Sequence, residues 1–324
     1  MNILIFGGAG YIGSHMAKNL IDSGHIVTIA DNLSSGFISS THGSLFVKLD
    51  IQDTESLNAL FSSQKFDAVM HFASPIQVGE SVIDPEKYYR NLASTLNLLK
   101  SMLHAKIMHI IFSSSAAVYG DPIYTPIDES HSKLPISPYG RSKWMAEQIL
   151  EDFDRAYGLK SICLRYFNAS GADPTGKLGE RHDPETHLIP LVMQAASGRR
   201  KSITVFGRDY DTPDGTCIRD YIHVSDLASA HALALDYLIG SNNSSVFNLG
   251  NGQGFSVQEV IDTARRITGK TIIVTDEPRR VGDPPRLVAD SSKARHILRW
   301  HPKYSDLDTI VNHAWHWEQQ WPWI

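Results

Sequence analysis

Apolar positions along the chain fall into short continuous runs, and stretches of helical period separate them. Asn2-Ile3-Leu4-Ile5-Phe6 predicts a buried strand. A glycine-rich turn follows, then an amphipathic helix over about 12–23 and a second strand, Ile26-Val27-Thr28-Ile29-Ala30, ending at Asp31. Further runs occur at Leu45-Phe46-Val47, Ala68-Val69-Met70-His71-Phe72, Ile107-Met108-His109-Ile110-Ile111-Phe112 and Ser161-Ile162-Cys163-Leu164-Arg165, with helical patterns over 91–103 and 142–156. Strands that are apolar throughout, without alternation, belong in a parallel sheet covered by helices on both faces.

After Asn168 the texture changes. Residues 171–187 are rich in Gly, Asp, Pro and His and read as a long loop. A helix over 188–196 and a strand at Ile203-Thr204-Val205-Phe206 precede a second polar excursion, 207–216. That excursion leads to Arg219-Asp220-Tyr221-Ile222-His223-Val224, and Phe247-Asn248-Leu249-Gly250 reads as one more strand. The last 24 residues place His301, Trp315, Trp317, Trp321 and Trp323 near a helix expected to pack on the second lobe. Long polar loops are uncommon in compact proteins unless they bind something or move, so substrate recognition is expected there.

Composition narrows the class. The 42% hydrophobic and 20% charged content of these 324 residues is that of a globular protein with a large core, and a net charge of -5 gives no support for nucleic-acid binding. Two cysteines, Cys163 and Cys217, exclude a disulfide scaffold and point to the cytoplasm. The start of the chain runs straight into a strand pattern, so no secretory signal is expected, and no apolar run approaches the ~18 residues of a membrane span. The 15 histidines contain no His-Glu-x-x-His pattern, so no metal is expected.

The chemistry begins at Gly7-Gly8-Ala9-Gly10-Tyr11-Ile12-Gly13. This spacing lets the backbone turn tightly, approach a pyrophosphate and present helix N-terminal amides to its charge. Asp31, at the end of the next strand, is positioned to accept hydrogen bonds from a ribose and to repel a 2'-phosphate, which favours NAD over NADP. The expected fold is therefore α/β: a Rossmann-type parallel sheet flanked by helices, with a smaller mixed α/β substrate-binding domain. The NAD-binding domain is expected over 1–168, with segments around 219–250 returning to it, and the substrate-binding domain over 169–324. Asp50, at another strand end, is a candidate for the adenine amino group. Phe72-Ala73-Ser74 either borders the cofactor or is simple strand-end packing. Asn91 either orients the cofactor or is an ordinary exposed asparagine.

Ser113-Ser114-Ser115 ends the strand after Phe112, at the carboxyl edge of the sheet where ligands of such folds bind. Tyr139 and Lys143 follow, four residues apart in a helical stretch. A free phenol, pKa ~10, is a poor base near neutrality. A lysine ammonium one turn away, reinforced by the positive ring of an oxidised nicotinamide, favours the phenolate. Tyr139 is then the proton acceptor, and a nearby serine hydroxyl can hydrogen-bond the reacting oxygen.

These elements resemble the extended short-chain dehydrogenase/reductase superfamily and, within it, the UDP-glucose 4-epimerase family. The likeness rests on an ordered set spread over the whole chain: Phe6 to His15, Asp31-Asn32-Leu33, Val78-Gly79-Glu80-Ser81, Ser113 to Gly120, Ser137-Pro138-Tyr139-Gly140-Arg141-Ser142-Lys143, Leu164 to Asn168, and Arg219 to Val224. The resemblance implies a hidden redox cycle on a UDP-hexose. Tyr139 takes the proton of the sugar 4-hydroxyl, hydride passes to tightly bound NAD+, and the 4-keto sugar turns and takes the hydride back on its other face. UDP-glucose and UDP-galactose are thereby interconverted.

Further assignments also come from the resemblance. Catalysis falls to Ser115, Tyr139 and Lys143. The cofactor contacts extend beyond Gly7, Gly10, Gly13, Asp31, Asp50, Phe72, Ala73, Ser74 and Asn91 to Tyr11, Ile12, Asn32, Ile51, Ser113, Tyr166 and the pair Tyr139 and Lys143. The substrate contacts are Phe167, Asn168, His187, Leu188, Arg219, Arg280, Asp283 and Leu287, besides Ser115 and Tyr139. Both arginines are suited to a diphosphate, yet Arg219 can equally be a structural ion-pair partner of Asp220 or Asp226. Asp283 either contacts a ribose hydroxyl or balances the arginines. A homodimer built on helices 91–103 and 142–156 is also implied.

The chain departs from the family pattern at a few points. Phe6 replaces a threonine, the segment around Asn91 is shortened, Ser74-Pro75-Ile76-Gln77 lacks a lysine, His187 stands in place of an asparagine, and Leu287 is smaller than the tyrosine of some members. The last leaves UDP-N-acetylglucosamine open as a substrate, and the nearest alternative reading is a 4-epimerase of another UDP-sugar: a UDP-N-acetylhexosamine, a UDP-pentose or a UDP-uronate. Ala116 and Ala117 offer no acid for a dehydratase. A noncatalytic nucleotide-binding regulator is the reading from a different class, and the intact Tyr139/Lys143 pair speaks against it.

Overall fold

The computed structural model describes residues 1–280 and 282–320; Trp321 and Trp323 of the terminal tryptophan group lie outside the described residues. Strand and helix alternate through β1 (Asn2–Phe6), α1 (Tyr11–Asp22), β2 (Ile26–Asp31), β3 (Leu45–Lys48), α2 (Thr54–Ser63), β4 (Ala68–His71), α3 (Val78–Ile83), α4 (Pro85–His104), β5 (His109–Ser115), α5 (Pro138–Tyr157) and β6 (Lys160–Tyr166). The remainder comprises β7 (Asn168–Ser170), α6 (Leu188–Ser197), β8 (Ile203–Phe206), β9 (Ile218–Arg219), β10 (Tyr221–His223), α7 (Val224–Ser241), β11 (Ser245–Leu249), β12 (Phe255–Ser256), α8 (Val257–Thr268), β13 (Val274–Glu277), β14 (Arg286–Leu287), α9 (Ser292–Ile297) and α10 (Leu307–Gln320).

Among the described residues, seven strands form one sheet in the order β11-β6-β5-β4-β1-β2-β3, and every pairing in it is parallel. Apolar residues leave both faces. Ile3, Ile5, Met70 and Ile162 pack with α1 and α7, while Leu4, Val69, Ile110 and Cys163 pack with α2, α4 and α5. This is the Rossmann-type sheet that the unbroken apolar strands predict. A smaller core gathers α6, α8 and α10 over β8, and the described residues beyond the main sheet form two parallel two-stranded sheets and one mixed three-stranded sheet.

Two helices begin earlier than their apolar periodicity indicates. α4 starts at Pro85, behind Asp84, whose carboxylate accepts a bond from the Lys87 amide, and α5 starts at Pro138, behind Ser137, whose hydroxyl accepts from Gly140. A cap followed by proline at the first helical position fixes the entry before any core contact is made. Tyr139 therefore lies in the first turn of α5. α7 does not show as a helix in the sequence pattern. Leu227, Ala228, Ala230, His231, Ala234, Leu235 and Leu238 are all buried, so polar residues mark too little of its surface to reveal a period.

A buried polar network ties α5 to the sheet. Arg165, on β6, donates through Nε to Glu147 Oε1 at 2.9 Å and forms an ion pair through Nη2 with the second carboxylate oxygen. Its Nη1 donates to Tyr119 Oη at 2.9 Å, and that phenol donates to Asn248 on β11 at 2.6 Å. Ser114 also donates to Glu147. Both charged side chains are at most 3% exposed. Removing one partner of such a pair leaves an uncompensated buried charge. Arg165→Met is expected to lower unfolding free energy by about 3–5 kcal/mol, and a second change, Glu147→Leu, to recover much of the loss; urea unfolding of the three proteins measures both.

Candidate active site

Parallel sheets bind ligands beyond the carboxyl ends of their strands, where the strand order reverses. Here that point lies between β1 and β4, and a cleft of about 700 Å³ opens above it. Gly7 follows β1 with φ +76°, and a Cβ there would stand 2.5 Å from the Ala73 amide nitrogen beyond β4. The glycine loop is thus pressed against the neighbouring strand end. No side chain caps the N-terminus of α1 at Gly10, and its first turn holds no acid. The amides of that turn border the cleft and suit a pyrophosphate.

All seventeen residues assigned to the cofactor from sequence line this one cleft: Gly7, Gly10, Tyr11, Ile12, Gly13, Asp31, Asn32, Asp50, Ile51, Phe72, Ala73, Ser74, Asn91, Ser113, Tyr139, Lys143 and Tyr166. Asp31 accepts from the Ala9 amide at 3.0 Å and the Leu33 amide at 2.8 Å, which holds its carboxylate between the glycine loop and the turn after β2. Asn32 donates to Asp50 at 3.1 Å, closing that end of the cleft. Asn91 donates to Ser74 at 3.3 Å. The donor set and the glycine turn fit a dinucleotide with unsubstituted ribose hydroxyls.

At the opposite end, α5 and β5 bring Ser115, Tyr139 and Lys143 together. Gly140 packs so closely on the turn after Ser115 that a side chain there would strike the Ala117 carbonyl. That contact sets Tyr139 beside Ser115. Ser115 Oγ accepts from the Ala117 amide at 3.1 Å, which leaves its own proton free to donate. Lys143 Nζ donates to the Ser113 carbonyl at 2.8 Å and lies 5.8 Å from the centre of the Tyr139 ring. Tyr166 donates to Ser113 from β6, the neighbouring strand.

The electrostatics add to the simple picture of a lysine activating a phenol. Burial raises Tyr139 above its ordinary value, with the Ser115 hydroxyl opposing the shift. Burial also lowers Lys143 to about 7, against the pull of Glu147. The pocket alone therefore keeps the phenol protonated, and further positive charge is needed to release its proton.

The substrate assignments divide. Ser115, Phe167, Asn168 and His187 line the cleft beside Tyr139. Arg219 on β9 and Leu287 on β14 are register partners in the small sheet, Asp283 lies in the segment before β14, and none of the three lines the cleft. Arg219 bonds to Asp283 at 2.8 Å and to the Pro284 carbonyl at 2.9 Å. Neither acid named for it from sequence is its partner: Asp220 accepts amides from Asn251, Gly252 and Ala289, and Asp226 accepts those of Lys303 and Tyr304. Arg280 stacks over Phe206 at 3.8 Å, Leu287 packs with Val118, Tyr119 and Ile127, and Leu188 heads α6 against the smaller core.

Sequence reasoning missed Glu180, His182 and Glu185, which gather with His187 beside the cleft. Burial would discharge both rings, but the facing carboxylates raise His182 to about 9 and His187 to about 10. The density of His and Glu in 180–187 was the available signal.

The sequence profile of the NAD dependent epimerase/dehydratase family matches residues 3–250, and the chain belongs to that family. Its similarity then narrows to one branch. A UDP-glucose 4-epimerase of Halalkalibacterium halodurans is 50% identical over 323 residues, covering 99% of this chain and 97% of the relative. The structure of UDP-glucose 4-epimerase from Brucella ovis in complex with NAD superposes with a TM-score of 0.95 at 50% identity, covering 98% of each chain. The UDP-Glc/GlcNAc 4-epimerase of Campylobacter jejuni gives a TM-score of 0.85 at 44% identity, over 98% of this chain and 99% of that one.

The lowered Lys143 links protons to stability. The unfolded chain holds this proton up to pH ~10.4, whereas the folded chain holds it only below about 7. Between those values the unfolded state binds more protons, so the contribution of Lys143 to stability rises with pH and is lost as pH falls toward 7. Lys143→Met is expected to be more stable than the unsubstituted cofactor-free protein at pH 7. The advantage should shrink by roughly 2 kcal/mol at about pH 9. Denaturant midpoints at the two pH values test it.

Proposed function

We propose that the protein interconverts UDP-glucose and UDP-galactose by transient oxidation at the sugar 4-position, through a 4-keto sugar, with NAD+ held tightly through the cycle. The observation that carries this reading is the convergence of Tyr139, Lys143 and Ser115 at one end of a cleft whose other end is built from the glycine loop and Asp31. Bound NAD+ supplies the acceptor, and then the donor, of the hydride at carbon 4, and the positive charge of its ring.

The side chains do the rest. The α1 amides hold the pyrophosphate, Asp31 and Asn32 hold the adenosine ribose, and Asp50 and Ile51 border the adenine. Tyr139 Oη takes the proton of the sugar 4-hydroxyl and later returns it, with Ser115 donating to the reacting oxygen. Lys143 stabilises the phenolate and binds the nicotinamide ribose. Phe167, Asn168, His187 and Leu188 surround the sugar. Arg219 and Arg280 take the diphosphate of UDP, and Asp283 takes its ribose. Epimerisation needs the nucleotide held firmly and the sugar loosely, because a clamped ketone cannot present its second face.

Residues 1–168, with 219–250, make up the NAD-binding domain in this reading, and 169–324 mainly the substrate-binding domain. The protein acts in the cytoplasm as a homodimer through α4 and α5. Exposed Val82, Ile83, Tyr89 and Met145 on and beside those helices support the dimer. No helix among the described residues is long and apolar enough to cross a membrane.

Proton NMR of the sugar during incubation with UDP-glucose, without added NAD, tests the reading. UDP-galactose is expected to accumulate to equilibrium. Tyr139→Phe should lower turnover by about 10²–10⁴-fold while retaining nucleotide; unimpaired turnover by that variant refutes the role of Tyr139. A parallel incubation with UDP-N-acetylglucosamine addresses the second reading, which the Campylobacter jejuni relative favours. Efficient turnover there, with none of UDP-glucose, would make the N-acetylated sugar the substrate.

A further inference from the structure

The loop between β7 and α6 folds back so that Glu180, His182, Glu185 and His187 each offer one ligand atom, all within 4.8 Å of one another. We propose that these four side chains bind one divalent cation, zinc by their chemistry, at the edge of the cleft. Two imidazoles and two carboxylates form a borderline donor set that suits zinc better than magnesium or calcium, which prefer oxygen alone. The carboxylates supply the negative charge that a dication needs.

The spacing of the ligand atoms supports the assignment. Tetrahedral zinc with bonds of about 2.0–2.1 Å has ligand-to-ligand edges of about 3.3–3.4 Å. His182 Nδ1 lies 3.3 Å from Glu180 Oε1 and 3.5 Å from Glu185 Oε2, two edges of such a figure, whereas the 3.2 Å approach of His187 Nδ1 is to the other oxygen of Glu185, Oε1. The 2.7 Å approach of His187 Nδ1 to Glu180 is shorter than an edge and would have to open by roughly 0.6 Å. Independently, His182 Nδ1 is buried with no hydrogen bond of acceptable geometry, although it faces two carboxylates.

An outer layer holds the ligands. Glu185 Oε1 accepts the amides of Thr186 at 2.7 Å and His187 at 2.9 Å, which fixes its carboxylate. Trp317 Nε1 donates to the Glu180 carbonyl at 3.0 Å, and the His182 ring meets Tyr11 edge-on with centroids 6.5 Å apart. Such contacts orient ligands and tune affinity. Tyr11 opens α1, so the ion would brace the 180–187 segment against the head of the cofactor helix. Four protein ligands make this a structural site.

Chelator-treated, full-length protein is titrated with zinc chloride by calorimetry, and bound metal is counted by elemental analysis after gel filtration. Cobalt chloride serves as the spectroscopic probe. One ion per chain is expected, with visible cobalt absorption of the low-coordinate type. His182→Gln and the nearly isosteric Glu185→Gln should each weaken binding by at least about tenfold, with folding confirmed by circular dichroism. Absence of saturable zinc uptake by the unsubstituted protein, or equal uptake by both folded variants, overturns the site.

Discussion

An ammonium group buried beside the end of β5 sets the terms for the rest of this molecule. Lys143 is 4% exposed, and desolvation of its charge is the largest influence on it. Three features make the position tenable: the Ser113 carbonyl that accepts its hydrogen bond, Glu147 one turn further along α5, and Arg165, which holds Glu147 in place from β6. Positive, negative and positive charges thus alternate from the reacting end of the cleft into the protein. The arrangement fixes the rotation of α5 on β5 and β6, and that rotation aims Tyr139 at the cleft.

The same interior field explains the division of labour around the cleft. Burial keeps Tyr139 protonated in the absence of a bound cation, and His71 behind it is driven to about 3 by burial and by Lys143. His71 is therefore neutral and does not compete for the proton. The glycine loop at the other end works through backbone alone, with amides in place of charged side chains. A dinucleotide spanning both ends would bring its phosphates to the amides and its cationic ring to the phenol. The Arg219–Asp283 pair lies outside this line, on an element joined to the main sheet by the chain around Asp220. Its charges are matched to each other in the ligand-free protein.

Legibility of the fold tracked how local the determining interactions are. β1, β2 and β8 declared themselves because each is a continuous apolar run bounded by turn residues, and the turn at Gly7 to Gly13 is written in residues that the backbone path requires. The starts of α4 and α5 were written too, in Asp84-Pro85 and Ser137-Pro138, but apolar periodicity begins a turn or more later and conceals them. The head of α8 carries a local signal of the same kind, the Ser256–Glu259 capping box, although no helix was expected there from sequence. α7 could not be read from its period, since its buried alanines and leucines encircle too much of the helix.

The sequence by itself determined the dinucleotide loop, the acid after β2, the Tyr139/Lys143 spacing and the serines at a strand end, because each depends on residues within a turn or two of one another. Only the tertiary structure decided that Arg219 pairs with Asp283, with Asp220 and Asp226 given over to backbone amides. It also decided that four side chains of an irregular loop converge on one point. Those outcomes depend on strand register and loop path summed over many weak contacts, and no short stretch of chain contains them. The same holds for Lys143: its spacing from Tyr139 is sequence, but its lowered proton affinity exists only once the sheet has closed over it.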